Sequence, residues 1–439
     1  MDVNMIIEIF LILLFVFFCI KHNSKEILYL VFFLLPIHGT IKFVIFHTGG
    51  EIFAIWKEIG ILFIYYKELR KTSYSTKSLL LIYLILAFVT LIFAIVGYEN
   101  GFSITGSIKK LLFPCLLTIA VSKIKFGDDD IRHLLLYMFI GSILINITGV
   151  LDFFNPSIRE MFRNMMRIGY SVSDDGTIFY DTNSFTIMGY ERAFGLMAGG
   201  PNQMGIFNSG ILFFIIISIL YYPKIYNNLN SKCILFIAMS LSAFCLIVSF
   251  SRAGMAMLFI ALLILSFYDK RLRSKIIWAI LFFIIVLFLA AIYSHVISDV
   301  IISTLSGKET SSASRVSMVN DAWNFLLNNP WGYGLGAVNS DKIYFAESSI
   351  INFGIEIGIC GLMVLFILFV NILCQIKKNF IYCKISKCSF SFFIAYIITS
   401  FVSVNPFENP FIYYAWLLLG LGLERINYPI TRKNLVVRK

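Results

Sequence analysis

The sequence predicts an all-α, polytopic helical membrane protein. Of its 439 residues, 59% are hydrophobic and only 14% are charged, and the mean hydropathy is +0.85. This composition excludes a soluble enzyme. Apolar stretches long enough to cross ~30 Å of hydrocarbon as helices recur from one end of the chain to the other. About thirteen can be counted, near residues 4–20, 26–46, 51–66, 78–97, 104–121, 131–151, 203–221, 232–250, 253–268, 276–293, 350–373, 389–403 and 411–424.

Lysine and arginine collect in a few short connections, and this asymmetry sets the orientation of the spans. The clusters at 67–77, 270–275, 377–387 and 432–439 are expected to face the cytoplasm. Counting spans between them puts two large loops, 152–202 and 294–349, on the outer side of a single transmembrane domain that covers residues 1–439. The formal net charge of +11 is then mostly a topological signal, so nucleic acid is not an expected partner. The short cytoplasmic connections also exclude a cytosolic nucleotide-sugar domain.

The first outer loop ends in a segment that is typical of an anion site. Arg192 is followed by Gly199-Gly200-Pro201-Asn202-Gln203, which leads into the span that begins near residue 203. Asn202 is suited to cap this helix, and the glycine pair allows a ligand to approach backbone N–H groups closely. An arginine beside such a helix start predicts anion binding. The alternative is a glycine-rich turn with a solvated Arg192.

A second arginine lies at the outer end of another span, in Ser251-Arg252-Ala253-Gly254. A cation in the first turn of a helix is opposed by the helix dipole, and an arginine near the hydrocarbon boundary is costly. A purely structural role therefore explains Arg252 poorly, although snorkelling to lipid headgroups is an alternative. Lys109-Lys110 is a weaker candidate of the same kind, for which snorkelling is at least as good an explanation.

The second outer loop contains a third arginine. Residues 314–327 have the pattern of a short amphipathic helix, with Val316, Val319, Trp323, Leu326 and Leu327 on its apolar side. Arg315 is in its first turn and shares a flank with Met318, Val319 and Ala322, which predicts that it points toward the protein. A surface ion pair is the alternative for Arg315.

Two glutamates stand at or near the start of the span after this loop. Glu347 and Glu356 are nine residues apart, so on a helix they point to opposite faces and cannot form an acid–base pair. Glu347 lies near the outer face and is interpreted either as a helix cap or as a proton acceptor. The glycines at 354, 358 and 361 predict close helix packing deeper in the span.

Four of these segments together resemble the bacterial O-antigen polymerase and O-antigen ligase superfamily in order and topology. They are Arg192 with Gly-Gly-Pro-Asn-Gln, Ser251-Arg252-x-Gly254, Arg315 with Asn-Pro-Trp-Gly-Tyr-Gly-Leu-Gly, and Glu356-x-Gly-x-x-Gly-Leu. The spans before the first outer loop match only in hydropathy. Ligases of this superfamily typically carry a histidine at the place of Glu347, and usually an asparagine at the place of Ser348. This difference favours a polymerase.

The resemblance implies a GT-C-like glycosyltransferase with about 12–13 transmembrane helices in the bacterial inner membrane. It would polymerise undecaprenyl-diphosphate-linked O-antigen repeat units at the periplasmic face by inverting, metal-independent glycosyl transfer without a cofactor. Its partners would be the lipid-linked oligosaccharide, membrane lipids and a chain-length regulator protein. The expected catalytic residues are Glu347 and Arg315, and the expected diphosphate-binding residues are Arg192, Arg252, Arg315 and Asn202.

Two other functions remain open at this point. An O-antigen ligase would use a donor of the same kind. A flippase or exporter of lipid-linked oligosaccharide would also be polytopic and basic on the inside, and transporters usually carry charged residues at the membrane midplane in broken helices. Lys42, Lys57 and Glu58, which lie in apolar surroundings, are the feature that keeps this reading open.

Overall fold

The computed structural model describes residues 3–42, 53–69, 76–166, 170–172, 178–180, 186–187, 190–197, 199–223, 228–293, 310–339, 347–381 and 383–423. Helices dominate these ranges. They are α1 Val3–Lys21, α2 Ser24–Leu34, α3 His38–Thr40, α4 Trp56–Glu68, α5 Thr76–Glu99, α6 Thr105–Val121, α7 Asp128–Phe154, α8 Pro156–Met166, α9 Gly200–Tyr221, α10 Leu229–Val248, α11 Arg252–Tyr268, α12 Arg273–Tyr293, α13 Thr310–Asn328, α14 Ser349–Lys378, α15 Lys384–Ser400 and α16 Phe411–Leu423.

The prediction of a polytopic helical membrane protein is confirmed. Each apolar stretch found in the sequence coincides with a helix, and the second is broken by a 3-10 turn, Leu35–Ile37, between α2 and α3. Within the described ranges, six helices are long and apolar enough to cross a membrane, namely α1, α5, α7, α9, α10 and α14. Three shorter apolar helices, α11, α15 and α16, accompany them.

Helix α9 lies at the centre of the bundle, and α1 and α5 lie at its edge. Of the most apolar 18 residues of each helix, 83% are buried in α9, compared with 17% in α1 and 22% in α5. Every residue of α16 is buried as well. The exposed side of α5 carries large apolar residues such as Phe88 and Leu91, as expected for a surface that faces lipid.

The connection between α7 and α9 contains α8 and two short antiparallel hairpins. Strand β1 (Tyr170–Val172) pairs with β2 (Ile178–Tyr180), and β3 (Thr186–Ile187) pairs with β4 (Tyr190–Glu191). Strand β4 ends immediately before Arg192, so the second hairpin fixes where the chain turns back toward the bundle.

The N-terminal parts of α9 and α11 pack closely because two glycines face each other. A Cβ atom on Gly205 would lie 2.0 Å from Cβ of Ser251, and one on Gly254 would lie 2.6 Å from the carbonyl carbon of Gly205. No larger side chain fits at either position. This contact places the first turn of α11 beside the first turn of α9.

Helix α14 is broken at Gly358, and the loop before it fills the break. Gly358 has a φ of 66° and a ψ of 177°, a conformation that favours glycine. The N–H of Ile359 donates to the carbonyl of Pro330 (2.8 Å), and the N–H of Tyr333 donates to that of Ile355 (2.9 Å). The prediction that Gly358 serves close packing between helices is therefore wrong, because it instead lets the loop backbone pair with the helix.

Helix α13 covers the amphipathic helix predicted at 314–327 and extends it at both ends. Its buried face consists of Ala322 and Leu326, which pack with Ile351 and Ile355 of α14. Trp323 is 47% exposed, and Leu327 is also exposed. Helix α13 is oriented so that Ala322 and Leu326 meet α14, and Trp323 and Leu327, which the sequence places on the same apolar side as Leu326, lie at the surface.

Candidate functional site

A cavity at one end of the bundle brings together four of the five site residues that the sequence predicted. They are Arg192, Asn202, Arg252 and Glu347. Phe250, Ala253, Val402 and Ser403 complete the lining. We call this space the arginine cavity. Its residues come from the segment before α9, from the beginnings of α9, α11 and α14, and from the segment after α15, which lie far apart in the sequence.

Arg192 is buried and held by two hydrogen bonds. Only 6% of the residue is exposed. Its Nη2 donates to Oδ1 of Asn202 (2.5 Å), and its Nε donates to the carbonyl of Ser249 (2.8 Å). Arg192 is therefore not the solvated side chain of a glycine-rich turn. Its guanidinium is fixed at the wall of the cavity, where it can bind an anion in a defined orientation.

The structure corrects the predicted roles of Asn202 and of the glycine pair. Helix α9 begins at Gly200, so Gly199 is the N-cap and Asn202 lies in the first turn. Pro201 favours this earlier start because proline is suited to the first positions of a helix. The N–H of Gly199 donates to Oε1 of Gln203, and that of Gly200 to the carbonyl of Met197. These two N–H groups are thus used within the protein, and Asn202 orients Arg192 instead of capping.

Arg252 is the first residue of α11 and is half-buried at the cavity. Ser251 is the N-cap of α11. Its Oγ accepts a hydrogen bond from the N–H of Gly254 and donates one to the carbonyl of Asn202, and both distances are 3.3 Å. Phe250 has a φ of 48°, which is rare for a residue with a side chain. The sharp turn at Phe250 between α10 and α11 brings Arg252 to the same wall as Asn202.

Glu347 immediately precedes α14 and is partly buried. The N-cap of α14 is Ser348, whose Oγ accepts from the N–H of Ile351. The interpretation of Glu347 as the helix cap is therefore wrong. Ser349 Oγ donates to the carbonyl of Val404 (2.9 Å) and to that of Ser403 (3.2 Å), which ties the helix start to the segment after α15. The position of Glu347 at the cavity is fixed by these contacts.

Arg315 lies in the first part of α13, but its side chain is outside the described residues. The structure therefore brings two of the three predicted arginines together. Lys110, the weaker candidate, is ion-paired with Glu408, so snorkelling to the lipid headgroups does not account for it.

Glu356 is buried away from the arginine cavity, as expected from its spacing to Glu347. It is 3% exposed, and its Oε1 accepts from Ser107 Oγ (2.9 Å) and from the N–H of Gly336 (3.1 Å). The carboxylate thus links α6 and α14 to residues 330–336, which we call the glycine loop. Gly334 also donates its N–H to the carbonyl of Glu356. Both contacts show that the Glu356 motif and the glycine motif form one structural unit.

Sequence reasoning missed a buried carboxylate that positions the segment after Arg192. Asp152, near the end of α7, is fully buried. Its Oδ2 accepts from the N–H groups of Phe194 (2.7 Å) and Gly195 (2.8 Å), and its Oδ1 accepts from Nε of Arg159 (2.8 Å). The only signal in the sequence is an aspartate at the end of an apolar run with an arginine seven residues later.

Replacing Asp152 by asparagine is expected to destabilise the protein and the outer loop. The change removes the Asp152 carboxylate from the buried Arg159, which keeps its ion pair with Glu191, and breaking a buried pair costs up to ~3–5 kcal/mol. The measurement is the apparent unfolding temperature of the purified protein in detergent. Asp129→Asn, at the exposed start of the same helix, is the matched control. Equal unfolding temperatures for both variants would contradict the role given to Asp152.

A comparison with protein families gives one match. A family model described as O-antigen ligase matches residues 237–366, a segment that contains Arg252, Arg315 and Glu347 but not Arg192 or Asn202. No curated protein matches the chain. The family match supports a relationship to the O-antigen ligase and polymerase superfamily and to O-antigen-related glycosyl transfer in general. It does not separate polymerases from ligases.

Proposed function

We propose that this protein polymerises undecaprenyl-diphosphate-linked O-antigen repeat units at the periplasmic face of the bacterial inner membrane. The observation that supports this most directly is the arginine cavity, in which Arg192, Asn202, Arg252 and Glu347 come together. These residue types suit the transfer of a sugar from a lipid diphosphate. The cavity is the place where we propose that the transfer occurs.

The arginine cavity is suited to bind a diphosphate. The donor sugar is already activated, so catalysis mainly requires stabilisation of the charge that grows on the leaving diphosphate. Guanidinium groups bind phosphate oxygens in a bidentate manner and do so without a metal. The positive ends of the α9 and α11 dipoles add to this, because Asn202 and Arg252 lie in the first turns of these helices. An anion at the cavity also explains why Arg252 occupies a helix start.

We propose that Glu347 is the base that takes the proton from the acceptor. The acceptor oxygen forms a bond to C1 of the donor sugar while the bond from C1 to the diphosphate oxygen breaks. Its proton passes to the Glu347 carboxylate, and the electron pair of the broken bond leaves with the diphosphate. A single displacement of this kind inverts the configuration at C1. Arg315 belongs to one of the four segments that carry the resemblance, and we propose that it completes the diphosphate site.

An O-antigen ligase is the second candidate, because the same cavity and donor would serve it and the matched family carries that description. Glu347 favours the polymerase, since it stands where ligases typically carry a histidine. A flippase or exporter is less well supported. Lys57 Nζ lies 3.3 Å from Oε1 of Glu58, which also accepts from the hydroxyl of Tyr413 (3.1 Å). These residues lie in the first turns of α4 and α16, where they are buried and pair with one another.

The polysaccharide pattern of a deletion strain tests these functions. Loss of a polymerase is expected to leave lipopolysaccharide core that carries a single repeat unit. Bare core would instead indicate a ligase or a flippase. Lipid-linked repeat units would then accumulate on the outer leaflet for a ligase and on the inner leaflet for a flippase. An unchanged ladder of chain lengths would contradict the proposal as a whole.

Transfer by the purified protein is expected to need no divalent metal. Among the residues that the structure describes, no three His, Cys, Asp or Glu side chains group as metal ligands. Chelation with EDTA should therefore leave the rate of chain elongation unchanged, and a metal-dependent glycosyltransferase assayed in parallel checks that chelation is complete. Loss of activity that one specific ion restores would contradict this prediction.

A further inference from the structure

A second cavity adjoins the arginine cavity on the other side of the α14 start. Glu347 and Ser403 line the first, whereas Ser349 and Val404 line the second. The hydrogen bonds from Ser349 Oγ to the carbonyls of Ser403 and Val404 form part of the wall between them. The rest of its lining includes Lys110, Asn352, Phe353, Glu356, Phe407 and Glu408.

One face of α14 extends along this second cavity. Ser349, Asn352, Phe353 and Glu356 follow each other at helical spacing and line it together. Glu347, just before the helix, lies at the other cavity. At 1.5 Å per residue, Glu356 lies ~10 Å along the helix from Ser349, its first residue. The second cavity therefore extends along α14 from the start of the helix.

The lining has the chemistry that binds a sugar. Carboxylate, amide, hydroxyl and ammonium groups offer both donors and acceptors for ring hydroxyls. Lys110 and Glu408 form an ion pair that is about one-third exposed, at 26% and 33%, so it remains accessible from the cavity. Phe353 and Phe407 pack edge to face with centroids 4.9 Å apart and supply an apolar surface for the C–H groups of a ring.

We propose that this second cavity binds the acceptor sugar, the residue that carries the attacking hydroxyl. The inference rests on the proposed function. In a single displacement the acceptor approaches C1 from the side opposite the leaving diphosphate. The diphosphate is assigned to the arginine cavity, so the acceptor belongs beyond Glu347, where the second cavity lies. The ligand class is a neutral or amino-substituted sugar of an oligosaccharide.

Asn352 provides the sharpest test, because Glu356 also supports the glycine loop and its loss would disturb the fold. The assay uses purified protein in lipid nanodiscs with the undecaprenyl-diphosphate-linked repeat unit as donor. The acceptor is the methyl glycoside of the same repeat unit, which can accept a chain but cannot donate one. Asn352→Ala is expected to raise the KM for this acceptor about ten-fold, the equivalent of one hydrogen bond, and to leave the KM for the donor unchanged. Glu408→Gln should act in the same direction.

The matched control is Asn371→Ala, in the cytoplasmic half of the same helix, where Oδ1 of Asn371 accepts from Gln375. This variant should keep both KM values. An unchanged acceptor KM in Asn352→Ala, or an equal rise of both KM values, would overturn the acceptor cavity alone. Full turnover in Arg192→Ala would instead be a failure of the proposed function, so the two outcomes remain distinct.

Discussion

Replacing Arg192 or Arg252 by alanine is expected to abolish chain elongation while the abundance of the protein stays near normal. Removing one group that stabilises developing negative charge lowers turnover by ~10²–10³, and each arginine is proposed to bind the leaving diphosphate. Arg315→Ala should have a comparable effect. The measurements are the ladder of chain lengths in cells and the elongation rate of the purified protein, with abundance determined by immunoblot.

Lysine variants test whether the guanidinium group itself is needed, and an arginine far from the cavity serves as a control. Arg192→Lys and Arg252→Lys should recover only part of the activity, because a point charge lacks the bidentate fork of the guanidinium. Arg273→Ala is the matched control: its Nε also donates to a backbone carbonyl, that of Ser266 (3.0 Å), but at the opposite end of α11 from Arg252. Full activity in all three alanine variants of the outer arginines would end the diphosphate proposal.

The sequence was sufficient to identify these arginines as site residues. It did not predict that Arg192 and Arg252 lie at the same cavity. Arg252 stood out because a cation at a helix start is opposed by the helix dipole, and that argument needs only local sequence. The meeting of Arg192 with Arg252 depends on the contact between Gly205 and Gly254. Such a contact between two helices is set by packing over the whole bundle, so no local pattern predicts it.

Two other residues show where sequence patterns mislead. Gly358 lies in a spacing of small residues that is typical of helix packing, yet its positive φ breaks α14 and admits the 330–334 backbone. Asp152 gave no usable signal because the N–H groups that it accepts from, on Phe194 and Gly195, are far along the chain. The apolar helices of the bundle follow from hydropathy alone, whereas these features follow from tertiary contacts.

Glu347→Gln is expected to lower the elongation rate by ~10²–10⁴, the usual contribution of a general base. Glutamine keeps the shape and hydrogen bonding of glutamate but cannot take up the acceptor proton. The start of α14 should be unaffected, because its cap is Ser348. Donor binding should also persist, since the arginines remain. Purified protein should therefore bind the lipid-linked repeat unit without polymerising it, as measured by co-purification of the glycolipid and by product length.

A histidine variant separates a base from a merely structural carboxylate. Glu347→His places another proton acceptor at this position, and it should retain part of the activity that Glu347→Gln loses. Glu160→Gln, an exposed carboxylate on the outer helix α8, is the matched control and should elongate chains normally.

Near wild-type elongation by the Glu347→Gln variant would show that Glu347 is not the base. The remaining candidates would then be the carboxylates of the first outer loop. Glu191 among them is ion-paired with Arg159, which makes it a poor proton acceptor. Asp174, Asp175 and Asp181 lie outside the described residues, and asparagine variants at these three positions would be the next to assay.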